Sequence, residues 1–374
     1  MIRCTRCLIP NGRPDTFFDA EGVCAACRSF EARERIDWPA RHALLLQLLE
    51  STTPSPQGYH CVVPSSGGKD SHAQVAHLVS LGAKVLVVTA HTCHLTGTGR
   101  LNIMNLERYA PTIEVTPRSS DRALLNRIGL ERVGDISWPE HVAIFTTPMR
   151  LAHALQVPLL FYGENPQEAY GGPPGADEAA EMTRRWVSEF GGFLGLRADD
   201  IEQEHPGINM AEYRLPKPSE GAPLPTAHFL GHYKRWDSWA NAETAIDMGM
   251  HSPKTGSGVS PANYWPWENL DNAQTGLHDH AMYRKYGYGR ACAQVSVDIR
   301  NGRLTRAQGL EVVREIDGLF PETYMGVPAE TMLRRIGMSV DDAIDVLAKF
   351  TNWDLFVPGD KTEPDLELKP ENLR

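Results

Sequence analysis

The chain has 374 residues, a formal net charge of −10, 41% hydrophobic and 22% charged residues, which describes a globular protein with room for two or three domains. The acidic excess argues against a nucleic-acid binder, and no apolar run approaches the ~20 residues of a membrane span. Met1-Ile2-Arg3-Cys4 does not open a signal peptide, so the expectation is a soluble, cytoplasmic protein without nucleic-acid or membrane partners.

Residues 1–30 carry Cys4-x-x-Cys7 and Cys24-x-x-Cys27, with sixteen residues between the pairs. Two such knuckles can offer four thiolates tetrahedrally to Zn²⁺, and thirty residues rich in Pro, Gly and Asp have too little apolar surface to fold without a staple. Four sulfurs leave no open coordination position, so the expected zinc is structural. Residues 31–57 read as a helix and linker: the helix covers 31–49, with Leu44, Leu45, Leu48 and Leu49 on one side, and the breaker-rich linker 51–58 follows.

From 58 to 235 the pattern predicts an α/β domain with a doubly wound parallel sheet. Strands are expected at 61–63, 84–90, 112–116 and 157–162, with one more near 228–232, and helices at 71–81, about 100–109, 119–130 and 140–155. Short helices fit around 176–190 and 208–213. Residues 236–374 read as a mostly helical region, with Thr305 and Gln308 placed as a capping box.

The most informative stretch is Pro64-Ser65-Ser66-Gly67-Gly68-Lys69-Asp70-Ser71, between a strand and an amphipathic helix. A Gly-rich turn opening a helix presents backbone N–H groups to an anion. Lys69 adds a cation and Asp70 a potential Mg²⁺ ligand, while the four-residue spacer of a Walker A loop is absent. Ser-Gly-Gly-Lys-Asp-Ser resembles the PP-loop of ATP pyrophosphatases, which split ATP into AMP and pyrophosphate.

Two further strand ends are candidates for ligand contact. After the second strand, which contains Thr89, comes His91-Thr92-Cys93-His94, better read as a ligand-lining loop than as a metal site because its spacing has no standard ligand geometry. After the fourth comes Gly163-Glu164-Asn165-Pro166-Gln167-Glu168-Ala169-Tyr170-Gly171-Gly172, where a carboxylate and a carboxamide can hold Mg²⁺ and pyrophosphate. Lys285, Arg290, Arg300 and Arg306 form a basic segment that reads by composition as a solvated face, and alternatively as a contact for polyphosphate or a substrate carboxylate.

Taken in order, CTRC…GVCAAC, CVVPSSGGKDS, GENPQEAYGG, FLGHYKRWD, ENLD, KYGYGR and DIRNGRLTR resemble the N-acetyl sugar amidotransferase family of bacterial surface-polysaccharide and nonulosonic-acid pathways. The family pattern has a Glu directly before Tyr-Gly-Gly; here Ala169 stands there and Glu168 one position earlier. The resemblance implies conversion of an acetamido group of a sugar to an acetamidino group through an O-adenylyl imidate, with ATP as second substrate. It implies a nucleotide site of Ser65, Ser66, Gly67, Gly68, Lys69, Asp70, Ser71, Thr89, Gly163, Asn165 and Arg290. Lys69, Asp70, Glu164 and Lys285 are the expected catalytic residues, with Asp70 and Glu164 the Mg²⁺ ligands.

Such a reaction needs ammonia. Ile2 stands where an N-terminal nucleophile cysteine would be required, and Cys61, Cys93 and Cys292 lack the surroundings of a triad-type glutaminase. The resemblance therefore implies a partner glutaminase and a cyclase-like barrel subunit similar to those of histidine biosynthesis. Two alternatives stand beside this reading: a PP-loop tRNA-modifying enzyme, disfavoured by the acidic charge and the lack of a third CxxC, and a catalytically silent nucleotide-binding subunit, disfavoured by the intact Lys69, Asp70, Ser71 and Glu164.

Overall fold

A computed structural model describes the chain except residues 15, 167–178, 219–222, 361 and 374. Its centre is a five-stranded, all-parallel sheet of β1 (Cys61–Pro64), β2 (Val85–Ala90), β3 (Thr112–Val115), β4 (Leu159–Tyr162) and β5 (Thr226–Phe229), in the order β3-β2-β1-β4-β5. Alternation along β1 sends Cys61 and Val63 to one face and Val62 to the other, and both faces are covered. Cys61 and Val63 pack with Leu45 and Leu49 of α2 (Trp38–Ser51) and with Val75 and Leu78 of α3 (Lys69–Ser80). Val62 packs with Met149 and Ala152 of α6 (Trp138–Ala154) and with Trp186 and Val187 of α7 (Arg184–Phe190). The doubly wound arrangement expected from the sequence is present, and β1 and β4 flank the point where the strand order reverses.

Between these strands lie α4 (Gly97–Leu106) and α5 (Ser119–Val133), and α8 (Ala198–Glu204) precedes β5. The single helix expected from residue 31 is instead divided: α1 (Ala25–Ala32) and one 3-10 turn end before Asp37, whose side chain accepts the N–H of Ala40 and restarts the chain as α2 with Pro39 in its first turn. The fifth strand lies at 226–229, slightly earlier than expected, because Leu230–His232 closes into a 3-10 turn.

The C-terminal region contains α9 (Ser238–Asp247), α10 (Thr275–Tyr286), α11 (Arg290–Arg300), α12 (Arg306–Ile316), α13 (Ala329–Arg335) and α14 (Val340–Ala348), with a short antiparallel pair of β6 (Thr323–Tyr324) and β7 (Val327–Pro328). Thr305 and Gln308 form the expected capping box at α12. A second core joins Leu130 and Ile136 to Leu277, Ala281, Met332, Leu333, Ile344 and Leu347, fastening α10, α13 and α14 to the end of α5. Among the described residues no helix is long and apolar enough to cross a membrane.

The N-terminal cysteine segment packs against α11 and α12 through Leu8, Ile9, Tyr288, Cys292, Val295 and Val313. Its first residues also meet the far end of the chain: the Met1 ammonium donates to Asn372 Oδ1 at 2.9 Å, and Arg3 Nε to the Asn372 carbonyl at 2.8 Å.

Candidate functional site

The loop after β1 is closed by its own hydroxyls. Ser65 N–H continues the β1–β2 ladder by donating to the Val88 carbonyl (2.9 Å), while Ser65 Oγ donates to Ser71 Oγ (2.8 Å) and accepts the Gly67 N–H (3.0 Å). Ser65 and Ser71 thus shape the turn, and each also lines a cavity beside it. Gly67 has φ +81°, and a Cβ there would lie 2.8 Å from the backbone nitrogen of Ile103, so the turn and the packing of α4 both demand glycine. The first turn of α3 has no side-chain cap, which leaves its N–H groups beside Gly68, Lys69 and Asp70 as anion donors.

These residues line a cavity of about 190 Å³ together with Ser66, Gln74, Gly163, Glu164, Glu268 and Asp271. Lys69 is 4% exposed. Its Nζ lies 2.7 Å from Asp70 Oδ2 and 3.1 Å from Glu268 Oε2. Burial opposes its charge, but Asp70 and Glu268 outweigh that and hold the ammonium above the usual lysine value. Asp70 Oδ1 accepts from Asn241 of α9 at 2.9 Å, so the first C-terminal helix helps orient the loop. Burial, then the Asp70 carboxylate, push Glu164 up to about 7 against the pull of Lys69. Burial also raises Asp271 to about 6, although the Ser66 hydroxyl bonds it.

A second cavity of about 290 Å³ adjoins the first, sharing Pro64, Ser66, Gly163, Glu164 and Asp271. Its other walls are largely apolar and aromatic: Val88, Ala90, Ile144, Phe145, Pro148, Tyr162, Trp186 and Phe229. Thr92 also lines it, and Thr92 Oγ1 and the buried Trp186 Nε1 have no hydrogen-bond partner among the described residues. A polar, N–H-rich compartment beside an aromatic one, at the carboxyl ends of β1 and β4, suits a ligand with a phosphate end and a flat ring. A third, small cavity of about 50 Å³ reaches Glu164 from the side of Arg33, Trp236 and Arg300.

The fit for a hard divalent cation rests on oxygen donors. Asp70, Glu164 and Glu268 all line the polar cavity, and the buried Glu268 Oε2, which pairs with the Lys69 ammonium, has no other polar partner among the described residues. Glu268 and Asp271 have no role in the sequence reading, although the ENLD segment that carries them is part of the resemblance. Their only local signal is a pair of acids after Trp-Pro-Trp.

The remaining expected site residues lie elsewhere. Thr89 is buried within β2, and its Oγ1 has no partner among the described residues. Asn165 is fully buried just past β4 and does not line either cavity. Arg290 pairs with Asp279 at 2.7 Å and, with Lys69, helps keep Glu268 below the usual carboxylate range against its burial, so it acts from behind the cavity wall. Lys285 is not at the cavity: its Nζ donates to the Val133 carbonyl at the end of α5 and lies 5.5 Å from the Phe350 ring centre. Arg306 donates to the Cys7 carbonyl (3.2 Å), and Arg300 to Cys7 Sγ (3.8 Å). This part of the basic segment contacts the cysteine knuckle, and Arg300 also lines the third cavity. His91 bonds Glu114 and Arg100, and Cys93 is buried near Glu140, so of that loop only Thr92 faces a cavity. Gln167, Glu168, Ala169, Tyr170, Gly171 and Gly172 lie outside the described residues.

Cys4, Cys7, Cys24 and Cys27 come together and are all buried. Cys4 and Cys27 sulfurs are 3.8 Å apart and those of Cys7 and Cys24 3.7 Å. Four sulfurs about 2.3 Å from a central Zn²⁺ would stand roughly 3.8 Å from one another, so the set fits that ion. Backbone N–H groups of Arg6, Ile9 and Cys24 already point at Cys4 and Cys7 Sγ, as thiolate ligands require.

With this geometry established, comparison with known families gives one finding. Residues 259–363 match the family described as "LPS biosynthesis protein WbpG-like, C-terminal domain". The match spans Glu268, Asp271, Lys285 and Arg290 but not the Gly-rich loop or the knuckle. No curated protein matches the chain.

Proposed function

We propose that the protein is an ATP-dependent amidotransferase of surface-sugar biosynthesis, replacing the carbonyl oxygen of a sugar acetamido group with nitrogen. The observation that carries this reading is the Lys69–Asp70–Glu268 constellation beneath the uncapped N-terminus of α3, opening into an aromatic compartment. The family match of residues 259–363 supplies the sugar context.

An acetamide oxygen must become a leaving group before nitrogen can displace it. In the proposed reaction the amide oxygen attacks the α-phosphorus of ATP and pyrophosphate departs. Ammonia then adds to the imidate carbon, AMP leaves with the former amide oxygen, and the nitrogen sheds a proton. The protein's share is positioning and charge stabilisation. N–H groups of residues 68–71 would receive the departing phosphates, and Lys69 would counter their charge. Asp70, Glu164 and Glu268 would hold Mg²⁺, whose contribution is to neutralise the polyphosphate. The wall of Phe145, Tyr162, Trp186 and Phe229 would seat the base and exclude water from the imidate.

The nitrogen would come from a partner glutaminase acting with a barrel-type subunit. Burial pushes the Cys93 thiol up to about 11 and those of Cys61 and Cys292 up to about 12, leaving none of the three poised as a glutaminase nucleophile. The test is mass spectrometry of purified protein with ATP, Mg²⁺, ammonium and a panel of N-acetylated sugars. The expected product is lighter by the difference between O and NH and appears with AMP and pyrophosphate, and Lys69→Ala lowers its formation about 10³-fold. ATP turnover stimulated by tRNA and by no sugar would overturn the reading.

A further inference from the structure

The fold assembles a second group of metal-type ligands that the proposed reaction does not use. Asp135 follows the left-handed cap of α5, His141 lies in the first turn of α6, and His278 is on α10. Their ligand atoms all lie within 4.8 Å of one another. His141 Nδ1 is 3.1 Å from Asp135 Oδ2, and His278 Nδ1 is 2.9 Å from Oδ1. The rings meet edge to face with centroids 4.6 Å apart. The carboxylate is 6% exposed, the imidazoles 33% and 23%.

We propose that Asp135, His141 and His278 bind one divalent transition ion of the zinc type, separate from the cysteine cluster. Two imidazole nitrogens and one carboxylate oxygen are a donor set for borderline ions such as Zn²⁺ and Co²⁺. Donors about 2.0–2.1 Å from such an ion stand roughly 3.0–3.4 Å from one another; the two imidazole–carboxylate spacings are already close to that range, and the imidazole–imidazole spacing lies within 4.8 Å. The ligands are held from behind. The Ser137 N–H donates to Asp135 Oδ1 at 2.9 Å, fixing the carboxylate plane. Gly192, at φ +78°, packs so close that a Cβ there would lie 2.8 Å from His141 Cβ, which pins that ring's root. The neighbouring cations are engaged: Lys285 with the Val133 carbonyl and Arg290 with Asp279. Part-exposed rings leave the remaining coordination positions to water, so this site is open where the cysteine set is closed. It lies one turn along α6 from Ile144 and Phe145, at the margin of the aromatic cavity.

The same three side chains can also share protons as a plain hydrogen-bonded group, with both Nδ1–H donating to the carboxylate. Metal counting separates the two. Full-length protein is equilibrated with Zn²⁺, freed of excess by gel filtration and its metal measured against chain concentration. Wild type is expected to hold one equivalent more than His141→Ala and than His278→Gln. His278→Gln is the check on folding, because its ring is part-exposed, and it must lose that equivalent while its melting curve overlays wild type. Co²⁺ added to protein whose cysteines already carry zinc should give visible d–d absorption without a thiolate-to-metal charge-transfer band, lost in both variants. Equal metal content in wild type and both variants, or a Co²⁺ spectrum unchanged by either substitution, overturns the proposal and leaves a hydrogen-bonded group only.

Discussion

The cysteine knuckle gathers four ionisable side chains and the loop cavity five, Asp271 among them, and they do so in opposite ways. Cys4, Cys7, Cys24 and Cys27 are alike, near in sequence, buried, and spaced so that a central ion would touch nothing else. Lys69, Asp70, Glu164 and Glu268 are of mixed charge, come from three distant segments and face open space. Uniform ligands around a closed centre satisfy one another and leave no position for a substrate. Mixed ligands around a cavity leave charge incompletely matched, as in the Glu164 carboxyl pushed up to about 7. The first arrangement suits holding a fold together, the second suits chemistry.

Breaking the closed set should have the largest effect. Cys4→Ser is expected to abolish zinc binding and to cost on the order of 5 kcal/mol or more, since structural zinc binding is coupled to folding. The loss should not be confined to residues 1–30, because Leu8 and Ile9 pack on α11 and α12 and Arg3 donates to the Leu8 carbonyl at 2.9 Å. Metal content and a denaturant melt check this; a variant that keeps its zinc, or loses it with an unchanged melt, refutes the structural role.

An intermediate effect sharpens the contrast from the other side. Glu268→Gln should lower ATP turnover about 10²-fold by removing a carboxylate from the cavity and unbalancing Lys69, with stability within about 1 kcal/mol of wild type. Paired measurements of pyrophosphate release and unfolding decide it. A large stability loss with turnover intact would make Glu268 part of the scaffold.

The smallest effect lies at the opposite end of α3 from the loop. His77 is held down to about 4, from 6.5, by burial and then by Lys234 and His42, and its Nε2 has no partner among the described residues. The folded state thus keeps it neutral where the unfolded chain would protonate it. Its contribution is present above pH 6.5 and is lost as pH falls toward 4. His77→Gln should flatten that part of the stability–pH curve without altering the loop's chemistry; an unchanged acid slope would show that the ring titrates normally.

Legibility in the sequence followed distance along the chain. The knuckle, the Gly-rich turn and the strands are local patterns, and the fold has them within a few residues of their expected bounds. Asp70 and Glu164 were readable as carboxylates at strand ends, and both line the cavity. Glu268 and Asp271 were not, because only the tertiary fold lays the segment after Trp267 across the mouth of β1. Nor was the grouping of His278 with Asp135, which depends on α10 packing against the end of α5. Lys285 is placed away from the cavity for a related reason. A lysine beside Tyr-Gly-Tyr-Gly-Arg looks like a phosphate ligand, but its stem lies over Phe350 and its ammonium caps the α5 carbonyl end.

The contact between the two ends of the chain bears on the order of biosynthesis. Cys4 to Cys27 can take up an ion as soon as they leave the ribosome, because every ligand lies within the first thirty residues. The surface on which the knuckle finally rests is supplied by α11 and α12, and Asn372 receives both the Met1 ammonium and the Arg3 guanidinium. A nascent chain therefore carries an undocked knuckle, with Leu8 and Ile9 uncovered, until α11 and α12 have been made. Zinc bound early would protect the four thiols from oxidation during that interval.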